Sequence, residues 1–175
     1  MVDPQATLSI FAEVSVALAG FSGIVIAFGR KTSGPLSTLE VRRLTNLFIL
    51  SGAALIISLL WMSLLHVEFE ERELLWRGGS AAVIVLSVPW LVWDLVRVFR
   101  LDQHERVEVK TSILVVFNAA AVAMLLLQIA NVLAIAQAWP FFLALVLIIA
   151  GAFQQFILLV RMGFRRSERI PGEIP

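Results

Sequence analysis

The sequence predicts an all-α fold, a polytopic membrane helix bundle with five transmembrane helices, its N-terminus outside and its C-terminus cytoplasmic. Three observations carry this. The 175 residues are 59% hydrophobic and only 15% charged, with a mean hydropathy of +0.91. A water-soluble domain of that size carries nearer a quarter charged residues and cannot bury so much apolar surface. The apolar residues fall in five long blocks, and the Lys and Arg between them fall almost entirely in alternate loops.

A helix that crosses about 30 Å of hydrocarbon needs about 20 apolar residues. Residues 8–28 meet this with Glu13 as the lone interruption, and residues 44–65 meet it without a charge. The stretch 111–160 has no charged residue and is far too long for one crossing. It must fold back, and Gln137-Ala138-Trp139-Pro140 is the expected corner, because Pro cannot continue a helix and Trp prefers the interface. Spans at 112–136 and 140–160 follow. The block at 79–99 is the weakest, since it holds Pro89 and runs into Asp94 and Arg97.

Charge settles whether that third block crosses. With five crossings, Arg30, Lys31, Arg42, Arg43, Arg97, Arg100, Arg106, Lys110, Arg161, Arg165, Arg166 and Arg169 all lie inside. Arg72 and Arg77 lie outside, among Glu68, Glu70, Glu71 and Glu73. Short loops rich in Lys and Arg stay cytoplasmic, so the whole chain reads as a single transmembrane domain in a cell inner membrane.

Element boundaries carry their own signals. Asp3-Pro4 reads as an N-cap followed by Pro at the first helical position. Ser37-Thr38-Leu39-Glu40 reads as a capping box, with Leu36 and Val41 as its hydrophobic staple, so the second helix should begin near Thr38. Glu73 and Arg77 are spaced as an i,i+4 pair, so the third helix should start before its apolar part. Trp76 and Trp139 are expected at the outer boundary. Ala17-Leu18-Ala19 mimics a signal-peptide cleavage site. The opening residues nevertheless lack a basic region and apolar sequence continues to Phe28, so a retained span is expected.

Polar residues inside the apolar blocks are the candidate sites. Counting about 1.5 Å per residue, Glu13 lies about 8 Å below the outer surface. Gln128 and Asn131 fall at similar depth on one helical face, with Ser58 in the same layer and His66 at its rim. Near the inner surface the same count gathers Asp94, Asn118, Gln154 and Gln155, with Asn46 closer to the edge, and the tight corner should make Asn118 and the Gln pair neighbours. Glu13 reads either as an ion or proton site facing a cavity, or as an uncharged carboxyl hydrogen-bonded to Gln128 or Asn131. Asp94 has Arg97 one turn away, and the amides are more often glue between helices than ligands.

Two further features concern packing and lipid. Ser15, Ala19, Gly23 and Ala27 recur every four residues, a stripe of small residues that lets another backbone approach. Glu13 lies about 160° around the helix from Ser15, so it should face a different neighbour. Arg161, Arg165, Arg166 and Arg169 are placed to meet anionic lipid headgroups.

Composition argues against several function classes. A net charge of +1 gives no basic face for nucleic acid, and zero Cys removes disulfides, thiolate metal sites and a Cys nucleophile. His66 and His104 stand at opposite membrane edges, so paired haem ligation, a metal site and intramembrane proteolysis all lack their residues. Neither an enzyme nor a cofactor is expected. The partners expected are the lipid bilayer, further copies of the chain in a homo-oligomer, and a cation.

Residues 12–23 (Ala12-Glu13-Val14-Ser15-Val16-Ala17-Leu18-Ala19-Gly20-Phe21-Ser22-Gly23), the turn Glu40-Val41-Arg42-Arg43-Leu44, Leu74-Leu75-Trp76-Arg77 and the final helix from Trp139-Pro140 together carry a resemblance. Over most of its length the chain resembles a family of uncharacterised small bacterial multi-spanning proteins. The resemblance implies a bacterial inner-membrane setting and lends no activity and no site residue.

Two functions from different classes are therefore expected. One is a homo-oligomeric cation or proton channel or transport pathway in which Glu13 titrates or attracts the cation. The other is a non-catalytic accessory or assembly subunit, or a bilayer-sensing protein.

Overall fold

The computed structural model describes residues 3–33, 38–67, 72–99 and 111–167, and everything described is helical or a short turn. The helices are α1 (Pro4–Ser33), α2 (Thr38–Leu64), α3 (Arg72–Phe99), α4 (Thr111–Ala130), a π-helical turn (Asn131–Ile135) and α5 (Ala138–Ser167). Five of these are long and apolar enough to cross a membrane, over Pro4–Ile24, Glu40–Leu64, Arg72–Trp93, Val116–Ile135 and Ala138–Arg161. Their outward faces are apolar, with Ile56 66% exposed, Val85 68% and Leu133 74%. Such surface fits lipid as solvent and a multi-pass membrane protein.

Helix starts follow local chemistry. Asp3 caps α1: its carboxylate Oδ1 accepts the Gln5 N–H at 2.9 Å, and its carbonyl accepts the Thr7 N–H at 3.1 Å. Pro4 then occupies the first helical position, where a missing N–H loses nothing. Helix α2 begins at Thr38 with Glu40 in its first turn, where a carboxylate complements the helix dipole. The capping residue Ser37 and the staple residue Leu36 lie outside the described residues. Helix α3 begins at Arg72, ahead of its apolar part, with Arg77 and Glu73 3.9 Å apart. It continues through Pro89 without a break.

The chain divides into two compact units, residues 1–66 with 145–175, and residues 67–144. In the first, α1 packs against α2 as a helical hairpin. Among the described side chains the buried positions of α1 are Leu8, Ala12, Ser15, Leu18 and Ser22, and those of α2 include Leu47, Ser51, Ala54, Ile57, Ser58 and Trp61. Leu8, Ser15 and Ser22 repeat every seven residues, as do Leu47, Ala54 and Trp61, which is the spacing of left-handed helix pairs. Three of the seam serines donate back to their own helix: Ser15 to the Phe11 carbonyl at 2.7 Å, Ser22 to Ala19 at 2.6 Å and Ser51 to Leu47 at 2.8 Å. Their hydroxyls are thereby satisfied, and they act in the seam as small residues.

In the second unit, α3 packs against α4 and the π-helical turn. Trp76 is buried, its ring centroid 6.2 Å from Phe141 and 5.7 Å, edge-on, from Phe142. Two aromatic neighbours at the start of α5 draw the indole inside. Trp139 is 46% exposed.

Candidate functional site

The corner between α4 and α5 is built by the very amides that sequence singles out. The α-helical pattern loosens at Asn131, and the Ala136 N–H reaches back five residues to the Asn131 carbonyl at 3.0 Å. Ala136 then takes a left-handed conformation, φ 51° and ψ 40°. An L-residue is disfavoured there by about 1–2 kcal/mol, so neighbouring contacts must hold it. Asn131 supplies them. Its Oδ1 accepts the Gln137 N–H at 3.0 Å, while its Nδ2 donates to the Gln137 carbonyl at 3.0 Å and to Ser80 Oγ of α3 at 2.7 Å. One side chain thus grips both backbone groups of the corner residue and ties the corner to a third helix.

Gln128 adds a second tie. Its Nε2 donates to the Pro140 carbonyl at 2.7 Å and approaches Met124 Sδ at 3.5 Å. Its Oε1 is buried and accepts no hydrogen bond among the described residues. Trp139 Nε1 donates to Gln137 Oε1 at 2.9 Å, closing the outer side of the turn. Gln128, Asn131 and Ser80 are all 0% exposed. The shared face expected for Gln128 and Asn131 is present, and the Asn131 amide and the Gln128 Nε2 are occupied in holding the corner.

Glu13 has the opposite surroundings. It is exposed on α1, and its described bond is to its own helix, Ser9 Oγ donating to Oε1 at 3.1 Å. Its second carboxyl oxygen accepts nothing among the described residues. The buried face of α1 is the one through Ser15, so the angular separation from Ser15 places Glu13 outward. The expected stripe of small residues divides accordingly. Ser15 is buried, Ala19 half-buried and Gly23 exposed with open space where a Cβ would project, while the Ala27 side chain is outside the described set. A four-residue step drifts about 40° around the helix each time, whereas the hairpin seam follows a seven-residue step and closes on Ser22 instead.

The inner layer is only partly described. Asn118 is half-buried in the second unit, and Gln154 and Gln155 are half-buried on α5 in the first. The side chains of Asp94, Arg165 and Arg166 lie outside the described set, as does Arg169 altogether; Arg161 is exposed. In the first unit Asn46 Oδ1 and Ser58 Oγ are buried and unpartnered among the described residues. His66 Nδ1 lies 2.9 Å from the Met62 carbonyl at the end of α2. Among the described residues no group of three or more His, Cys, Asp or Glu is placed to hold a metal.

Comparison of the chain with family models, curated proteins and solved structures returns no match.

Sequence reasoning found Asn131 and Gln128 but missed Ser80 and the left-handed Ala136. The available signal was the interval from Asn131 to Gln137, short enough for a side-chain amide to reach around a turn.

Proposed function

We propose that this chain is a multi-pass protein of a bacterial inner membrane, N-terminus outside and C-terminus cytoplasmic, acting as a non-catalytic assembly subunit. The outward face of α1 is its contact surface. The observation that supports this reading is the position of Glu13: a carboxyl on the outside of an apolar helix, bonded among the described residues only to Ser9, one turn away. A carboxyl left facing lipid costs roughly 2.5–3.5 kcal/mol at mid-bilayer and less toward the interface. Contact with another protein removes that cost. Of the expected polar layer, Asn131 and the Gln128 Nε2 are committed to the corner.

Purified wild-type chain in vesicles should pass no ions, and Glu13→Ala should reduce its co-migration with a larger complex extracted from native membranes in mild detergent. A wild-type ion flux that Glu13→Gln abolishes would overturn this reading. It would establish the second one in its place, a homo-oligomeric cation or proton pathway in which Glu13 titrates or attracts the cation. That second reading is favoured by one observation, the carboxyl oxygen of Glu13 that accepts no described hydrogen bond.

A further inference from the structure

Three departures from regular structure meet at the corner between α4 and α5. Among the described residues it holds the π-helical stretch, Asn131–Ile135, and the one non-glycine residue with positive φ, Ala136. It also holds Gln128, 0% exposed, whose Oε1 accepts nothing from the described chain. A π-helical turn and a left-handed L-residue persist where their surroundings over-determine the backbone, and both gather at switching segments. Asn131 is the clamp here. It holds both backbone groups of Gln137 at 3.0 Å, and the same amide nitrogen donates to Ser80 Oγ at 2.7 Å. The Ser80 hydroxyl accepts that bond and has no described acceptor for its own hydrogen. The corner therefore carries an idle acceptor, an idle donor and a strained residue around one clamping side chain.

A second arrangement of the same groups uses everything the first leaves idle. Asn131 stands three residues after Gln128 on one helical face, the spacing at which two amide side chains bond. A half-turn of its amide about the last torsion, which is broad and roughly two-fold, exchanges nitrogen and oxygen. Nδ2 then donates to Gln128 Oε1, and Oδ1 accepts the Ser80 hydroxyl. Gln137 loses both clamp bonds. It is exposed and falls between the apolar spans Val116–Ile135 and Ala138–Arg161, where water takes over its peptide groups. Ala136, no longer fixed from the next residue, returns to the right-handed region that an L-residue prefers. We propose that the corner is a two-state latch, clamped when Asn131 holds Gln137 and released when Asn131 turns to Gln128. The clamped state keeps more bonds to the corner, while the released state removes the strain at Ala136 and the idle oxygen. These terms oppose one another, so release is a local opening well short of unfolding. The Gln128 Nε2 bond to the Pro140 carbonyl persists through it and tethers the first turn of α5. Opening the latch breaks the route by which Gln137 is tied to α3. Glu13 plays no part in it, so the latch stands apart from the assembly reading.

Hydrogen exchange of the Gln137 amide reads the latch directly, because that N–H is bonded to Asn131 Oδ1 when clamped and hydrated when released. The full chain in mixed micelles is followed by nuclear magnetic resonance, with amides in the middle of α4 as the reference for unfolding. In the wild type Gln137 should exchange at least about tenfold faster than those amides. Gln128→Met removes the acceptor on which release depends, so Gln137 should then exchange about tenfold more slowly than in the wild type. A purely structural Gln128 gives the opposite sign, since losing its bond to Pro140 loosens the corner and speeds exchange. Ala136→Gly takes the strain out of the clamped state and should slow Gln137 about threefold while leaving every hydrogen-bonding side chain in place. Wild-type Gln137 exchanging only as slowly as the middle of α4 would overturn the proposal, and so would an unchanged or faster rate in Gln128→Met. Should Gln128→Met fail to fold by circular dichroism, Ala136→Gly decides: an unslowed Gln137 there overturns the latch as well.

Discussion

Glu13 and Asn131 are both polar groups set in apolar helices, and their surroundings could hardly differ more. Asn131 is 0% exposed and makes hydrogen bonds to Ser80 and to both backbone groups of Gln137. Glu13 is exposed and bonds within one turn of its own helix. A polar group in an apolar medium must find partners, because each unmet donor or acceptor is penalised. Asn131 finds them inside its own unit and becomes part of the scaffold. Glu13 is left with bonding capacity that only something outside the described chain can meet.

The comparison breaks most readily at Asn131. Asn131→Leu removes three hydrogen bonds and leaves the Gln137 peptide unheld, which at about 0.6 kcal/mol per bond in membrane proteins amounts to about 2 kcal/mol. Unfolding of the purified chain in mixed micelles, followed by tryptophan fluorescence, measures this. A loss under half that size would mean the corner stands without its clamp.

Ala136→Gly probes the same corner from the other side. Glycine adopts φ 51° without steric penalty, so the variant should gain up to about 1 kcal/mol in the same assay. Gln128→Met should lose only about 0.5 kcal/mol. It deletes one bond to Pro140 and also the buried oxygen that accepts none, and the Pro140 carbonyl keeps its place in the helix ladder. Glu73→Gln is expected to change stability by less than about 0.3 kcal/mol, because its 3.9 Å contact with Arg77 is largely solvated.

At the foot of this series stands Glu13→Gln, with no resolvable change in the stability of the isolated chain and a loss of assembly. If it destabilised the purified chain as much as Asn131→Leu does, the contrast between scaffold and contact surface would be void.

Much of the fold was legible in the residues. The Asp3-Pro4 start, the start at Thr38 and the early start of α3 at Arg72 each rest on chemistry within one helical turn. The five apolar helices rest on composition over about 20 residues at a time. The corner at Gln137–Pro140 was legible in position, since Trp139-Pro140 breaks any continuous helix. Its construction was not. A π-helical turn and a left-handed alanine have no composition signature, and the partner Ser80 lies 51 residues from Asn131.

The sequence by itself determined which segments are helical and apolar, where several of them begin, and which polar residues must be accounted for. Those properties depend on side chains close along the chain. Only the tertiary structure decided which side of α1 is inside. Ser15 and Ser22 point into the seam with α2 while Ala17 and Gly20 stay open, because the hairpin can bury just one face and the seven-residue pairing with Leu47, Ala54 and Trp61 selects it. That choice left the carboxyl of Glu13 on the outside.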